Sequence, residues 1–260
     1  MHALWNLLLA RARDPEAATA VALVVSIVAF APVTALTFDA DRDVWPYTIG
    51  TGALQLLYFV LLASAYRKSS LSLVYPIARG VAPVLVLLAG LAVLGKSTSA
   101  GQVLGVVLVG AGVLLVRGLG RHAEAGGVAF GLAIATTIAT YTLVDKHGIR
   151  HAAPITYLEL SMIGPSLIYA GAIGKIKGLP ALRAAWGPAT VIAGLATFGA
   201  YALVLAALQR ASAPSVAAVR ETSVVVTAVF AAFFLREGVG PARLAGAGLV
   251  AGGVALLSLT

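Results

Sequence analysis

Residues 79–113, RGVAPVLVLLAGLAVLGKSTSAGQVLGVVLVGAGV, and residues 220–254, RETSVVVTAVFAAFFLREGVGPARLAGAGLVAGGV, repeat one pattern. A shift of 141 residues, with no gap, lands Arg79 on Arg220, Leu94 on Leu235, Gly105 on Gly246, Gly112 on Gly253 and Val113 on Val254. Further out, Trp45 lands on Trp186 under the same shift. Each tryptophan opens an apolar run beside a proline (Trp45-Pro46, and Trp186-Gly187-Pro188), which suits an anchor at the membrane–water interface. A slightly different shift pairs Tyr58 with Tyr201 and Arg67 with Arg210. Chance supplies coincidences among Leu, Val and Gly easily, but matched Arg and Trp are harder to obtain that way.

Around these stretches the chain divides by apolar length into ten spans. They fall at about 1–12, 17–37, 46–66, 70–94, 98–117, 126–145, 154–174, 186–209, 212–235 and 240–259. Hydrophobic residues make up 60% of the 260, charged residues 11%, and mean hydropathy is +0.97. A soluble domain carries about 25% charged residues, and ten Asp and Glu cannot keep a soluble surface wet. The chain is therefore expected to be an all-α polytopic membrane protein, because an isolated span must satisfy its own backbone hydrogen bonds in lipid. A β-barrel would show alternating segments of about ten residues, and these runs are continuous.

Five spans fall in residues 1–121 and five in 122–260. An odd number per unit sends the second unit into the membrane the opposite way round, giving a 5+5 inverted-topology repeat within one integral membrane unit. The repeat also predicts a first helix truncated at its N-terminus. Ala3-Leu4-Trp5-Asn6-Leu7-Leu8 aligns with Ala139-Thr140-Tyr141-Thr142-Leu143-Val144, late in the sixth span, yet only Met1 and His2 precede Ala3. Twelve helical residues rise about 18 Å, short of a hydrocarbon core of about 30 Å.

Other functional classes fall away on the same residues. There is no cysteine for a disulfide, an Fe–S site or thiol chemistry. The net charge of +8 and pI near 10.0 come from Lys and Arg scattered between apolar runs, not gathered on a face that would read nucleic acid. His122, His147 and His151 fall in loops without metal-ligand spacing. Asp39, Asp41 and Asp43 lack the glycine and closing glutamate of a calcium loop and read as solvated. No metal or cofactor is expected. Enzyme chemistry is disfavoured, since no Ser–His pairing, His/Glu metal motif or nucleophilic cysteine is present.

His2-Ala3-Leu4-Trp5-Asn6, Leu73-Val74-Tyr75-Pro76-Ile77-Ala78-Arg79-Gly80, Tyr141-Thr142-Leu143-Val144-Asp145-Lys146, Val219-Arg220-Glu221 and Arg243-Leu244-Ala245-Gly246-Ala247 resemble the EamA-type branch of the drug/metabolite transporter superfamily. The resemblance runs the whole length. It implies ten helices, alternating access and a central cavity lined mainly by helices 1–4 and 6–9, with the fifth and tenth peripheral. It also implies a small-molecule substrate, and it leaves the substrate itself open.

An ionised side chain in mid-membrane costs about 2.5–3.5 kcal/mol on insertion scales, so buried charges need a reason. Arg79 lies about nine residues into its span and Arg220 about eight, each roughly 12–14 Å deep, and the pseudo-twofold relates them. Pro76 and Pro83 flank Arg79, and each frees a backbone carbonyl. Arg79 and Arg220 are thus substrate-binding or gating candidates; bracing the bundle against a glutamate is the competing role. Tyr75, Trp5, Asn6, Tyr58, Tyr201 and Tyr141 are further lining candidates on motif or repeat grounds. Glu159 has no acidic counterpart in the first repeat and is the candidate coupling group, with permanent pairing to an arginine as its alternative. Glu221 is the second, and it diverges from Arg220 by about 100° around a helix.

Gly101-x-x-x-Gly105 and Gly248-x-x-x-Gly252 form small-residue ridges on the fifth and tenth spans. They serve either to seat each helix on its own repeat or to build a homodimer. Lys and Arg are denser in loops after odd-numbered spans, which puts both termini outside; the family resemblance implies both inside. The expected protein is a secondary transporter of a small polar or amphipathic metabolite in a prokaryotic cytoplasmic (inner) membrane. Its rivals are a passive pore and a non-transporting assembly partner.

Overall fold

The computed structural model describes residues 8–9, 12–68, 71–94, 99–117, 125–222 and 241–258. Trp5, Asn6, the expected shortening of the first helix and most of the ninth span lie outside them. The helices are α1 (Pro15–Leu36), α2 (Trp45–Lys68), α3 (Leu71–Leu94), α4 (Ala100–Arg117), α5 (Ala125–Gly148), α6 (Pro154–Lys177), α7 (Leu179–Ala184), α8 (Pro188–Arg210), α9 (Ala213–Arg220) and α10 (Pro241–Ser258). α1 to α6 are the second to seventh spans, α8 the eighth, α9 the start of the ninth and α10 the tenth. Among the described residues, four stretches are long and apolar enough to cross a membrane: Pro15–Leu36, Arg42–Ala65, Gly126–Gly148 and Pro188–Arg210. α3 stays helical through both Pro76 and Pro83.

Helix ends follow local chemistry. Asp14 caps α1 by accepting from the Ala17 N–H at 3.1 Å, with Pro15 at the first position where its missing N–H costs nothing. α6 stops at Gly178, whose φ of 80° suits glycine. The turn there starts α7, a six-residue helix lying between the expected seventh and eighth spans. The helix of the eighth span begins at Pro188, within two residues of the expected start.

The chain packs as two compact units, Met1–Phe59 with Val144–Arg210 and Val60–Leu143 with Ala211–Thr260. Each takes helices from both repeats. In the first, α1 lies against α6 and α8. Ser26 donates to the Ala22 carbonyl at 2.7 Å and reaches the Gly194 carbonyl of α8 at 2.9 Å.

In the second unit α4 lies along α10 over a core of Val106, Val109, Val113 and Val250. A Cβ at Gly105 would meet the Gly253 carbonyl oxygen at 3.0 Å, and one at Gly112 the Gly246 oxygen at 2.6 Å. Only glycine permits that approach. Gly105 is the repeat mate of Gly246, and Gly112 of Gly253, so the contact is self-complementary in the manner of a twofold interface. Residue numbers rise along α4 as they fall along α10. The fifth and tenth spans therefore run antiparallel, as five spans per repeat require. Of the glycines expected to form ridges, Gly105 is used, but a methyl group added at Gly248 or Gly252 would meet nothing among the described residues within 4 Å. The contact stripe of α10 is Gly246, Val250 and Gly253, one helical face away.

Candidate functional site

Among the described residues, each unit holds a buried polar cluster. In the second unit, Arg79 of α3 is 2% exposed and donates through Nη1 to Glu221 Oε1 at 3.2 Å. Glu221 Oε2 is buried and has no hydrogen-bond partner among the described residues. Arg220, the preceding residue, turns to another helix, and its two Nη groups each lie 3.3 Å from the Tyr141 hydroxyl of α5. This divergence follows from helical geometry, since adjacent residues point about 100° apart. The first-repeat arginine thus pairs with the residue beside its own second-repeat mate.

In the first unit, Asp145 near the end of α5 is 1% exposed. Its Oδ1 accepts from Thr51 of α2 at 2.6 Å and from the Tyr157 hydroxyl of α6 at 3.1 Å, while its Oδ2 accepts from Tyr201 of α8. Thr51 and Tyr157 are themselves 3.0 Å apart. Four helices meet at one carboxylate. One residue on, the Lys146 ammonium donates to the Leu208 carbonyl. Asp145 stands in a motif stretch, but the sequence reading does not select it, because it places the residue at the mouth of the sixth span. α5 continues to Gly148 and carries it inside.

Glu159, on α6, is 4% exposed, and its Oε2 has no hydrogen-bond partner among the described residues. It forms no ion pair among them either. The repeat-matched tyrosines have different surroundings: Tyr201 binds Asp145, whereas the Tyr58 ring packs edge-on to Phe59 at 5.5 Å. The backbone of Tyr75 belongs to α3, and its side chain lies outside those described.

Asp41, Asp43 and His151 bring their ligating atoms within 4.8 Å of one another on the surface. Spacing along the chain does not reveal this grouping, which depends on pairing of the α1–α2 loop with the α5–α6 loop. Asp41 N–H donates to the His151 carbonyl and Ala153 N–H to the Asp39 carbonyl, each at 2.9 Å. Asp41 Oδ1 accepts from Asp43 N–H at 2.9 Å, and Oδ2 lies 3.1 Å from His151 Nδ1. The His151 ring stacks on Tyr47. These contacts account for the cluster as a clamp between two loops.

A model of the EamA-like transporter family matches residues 3–118 and again residues 125–259. The chain belongs to the EamA-like transporter family. Its two matches are a tandem repeat, and membership makes it an integral membrane protein of a transporter superfamily that handles small molecules in a lipid environment. A solved structure described only as "Crystal structure of protein" shares the fold, with a TM-score of 0.71 at 15% identity over 98% of this chain and 94% of that one. No curated protein matches the chain. In EamA-like terms, the two clusters lie on spans of both family repeats: Arg79 and Thr51 come from the first match, and Glu221, Asp145, Tyr157 and Tyr201 from the second.

Proposed function

We propose that this EamA-like protein is a secondary transporter moving a small polar or amphipathic metabolite by alternating access, with residues 1–121 and 122–260 as its two repeats. The reading rests on the Arg79–Glu221 pair, a buried ion pair joining helices of the two repeats. A buried pair often contributes little net stability, because desolvation offsets attraction. A pair that forms in one state and opens in another gives such an arrangement a use. Arg79 and Arg220 then bind or gate, with Tyr141 holding Arg220 and Tyr75, Trp5, Asn6, Tyr58 and Tyr201 as further lining groups. Glu159 is the coupling group and Glu221 the second candidate. A homodimer through the fifth and tenth spans would close over Gly248 and Gly252, where an added methyl group meets nothing among the described residues. The membrane we assign is the cytoplasmic one of a prokaryote.

A thermal-shift screen of metabolites on purified protein identifies the ligand, because a ligand stabilises the state it binds. Uphill exchange in liposomes then tests the mechanism. Arg79→Ala and Arg220→Ala should each abolish exchange in protein that still inserts. Lysine should rescue little, since an ammonium lacks the fork that grips a carboxylate or phosphate. Glu159→Gln should keep exchange and lose its pH dependence. Wild-type rates in both alanine variants would overturn the assignment. Equilibration without uphill movement would identify a passive pore, and no movement of any ligand an assembly partner.

A further inference from the structure

The first unit contains an apolar hollow of about 470 Å³ that neither polar cluster touches. Val21 and Val24 of α1, Ala170 of α6 and Leu182 of α7 form its walls, together with Arg183 and Trp186. Val24 lies nine residues into α1 and Ala170 seven residues before the end of α6, about 14 Å and 10 Å inward at 1.5 Å per residue. The entry of α1 and the exit of α6 are the same end of the unit, since Lys177 bonds both oxygens of Asp14 at 2.7 and 2.8 Å. Arg183 and Trp186 belong to the connection at that end. The hollow therefore runs inward from the helix ends, with a guanidinium and an indole at its mouth.

We infer that this hollow holds one acyl chain of an anionic phospholipid, with the lipid phosphate over Arg183. The chemistry of the walls excludes a polar occupant, which would lose its hydrogen bonds to water without replacement. For a membrane protein the apolar medium against such a wall is lipid. Trp186 is 64% exposed, as an indole at headgroup level is. The charge at the mouth is available: Lys177 is neutralised by Asp14 and Glu16, each at 2.7 Å, whereas exposed Arg183 makes no ion pair among the described residues. A guanidinium fork suits phosphate. The volume is within the range of single-ligand sites, about 300–1,000 Å³. This site is separate from the transport pathway proposed above and stands without it.

Brominated lipids quench nearby indoles, and Trp5→Phe with Trp45→Phe leaves Trp186 as the sole emitter among the three tryptophans. Full-length protein in detergent is titrated with brominated phosphatidylglycerol and, separately, brominated phosphatidylcholine. Phosphatidylglycerol should quench saturably. Arg183→Ala should raise its half-saturating concentration about fivefold, the worth of one interfacial cation, and leave phosphatidylcholine unchanged. Ala170→Phe should fill the hollow and remove saturable quenching. Should that variant fail to fold, Arg183→Ala at its exposed position still decides the matter. Quenching that never saturates, or that saturates equally for both lipids with and without Arg183, overturns the site. Equal displacement of phosphatidylglycerol by inorganic phosphate alone would reduce it to an anion site and overturn the acyl chain.

Discussion

Removing one member of a buried ion pair costs more than the pair contributes, because the survivor is a charge without solvent. Arg79→Ala should therefore destabilise the protein by about 3–5 kcal/mol in detergent unfolding, while Arg79→Leu combined with Glu221→Leu should recover most of that loss. A double variant as unstable as the single one would show that Arg79 braces something other than Glu221. At the surface the terms are smaller. Burial alone would raise the Asp14 carboxyl, but hydrogen bonds from Lys177 and Ala17 N–H together hold it below the usual carboxylate value. A depressed folded-state pKa contributes stability above the unfolded value, near 3.8, which is lost as pH falls through the folded one. Asp14→Ala should cost about 1 kcal/mol at pH 7, and the difference from wild type should shrink as unfolding is measured below pH 4. Asp14→Asn, which still caps, should cost less than half of that. At this scale the sequence is partly legible. Charge inside an apolar run singles out Arg79, Arg220, Glu159 and Glu221. Asp145 escapes because the expected sixth span ends on it, and only packing brings partners 94, 12 and 56 residues away to its carboxylate.

Helices follow hydropathy, so most element positions are readable within a few residues. Contacts between them are not. α4 and α10 each carry glycines on more than one face, and a small-residue pattern does not tell which stripe meets a neighbour. The packed stripe proves to be Gly105 and Gly112 against Gly253 and Gly246. Gly112→Ala should destabilise the protein by about 1–3 kcal/mol, the usual cost of overpacking, because its methyl group would press on a backbone oxygen that cannot rotate away. The methyl group of Gly248→Ala meets nothing among the described residues, and the variant should be neutral or stabilising by up to about 1 kcal/mol. Thermal unfolding of the two variants side by side checks the register; equal effects would contradict it. The six residues of α7 are unreadable for another reason. A helix that short has no period to detect, and it follows directly on the positive-φ turn at Gly178.

Over the whole molecule, the repeat is legible because a 141-residue shift conserves Arg, Trp and Gly together, and its odd span count carries the inversion. What escapes is that each compact unit mixes helices of both repeats. Membrane helices are apolar all round, so hydropathy is silent about neighbours. The inversion makes the last prediction. Connections at equivalent places in the two repeats must open on opposite sides, which places Ser70, after α2, and Ser212, after α8, across the membrane from each other. The chain has no cysteine, so a single introduced thiol reports unambiguously. In sealed vesicles, Ser70→Cys and Ser212→Cys should show opposite responses to an impermeant maleimide, one labelled before lysis and the other only after. The result does not depend on which side is cytoplasmic, so the loop-charge pattern and the family expectation for the termini need not be reconciled first. Antiparallel α4 and α10 bind the outcome further, since α4 and α10 end their repeats and one of them must exit on each side. Labelling of both thiols from the same side would require an even number of crossings between them and would remove the inverted repeat.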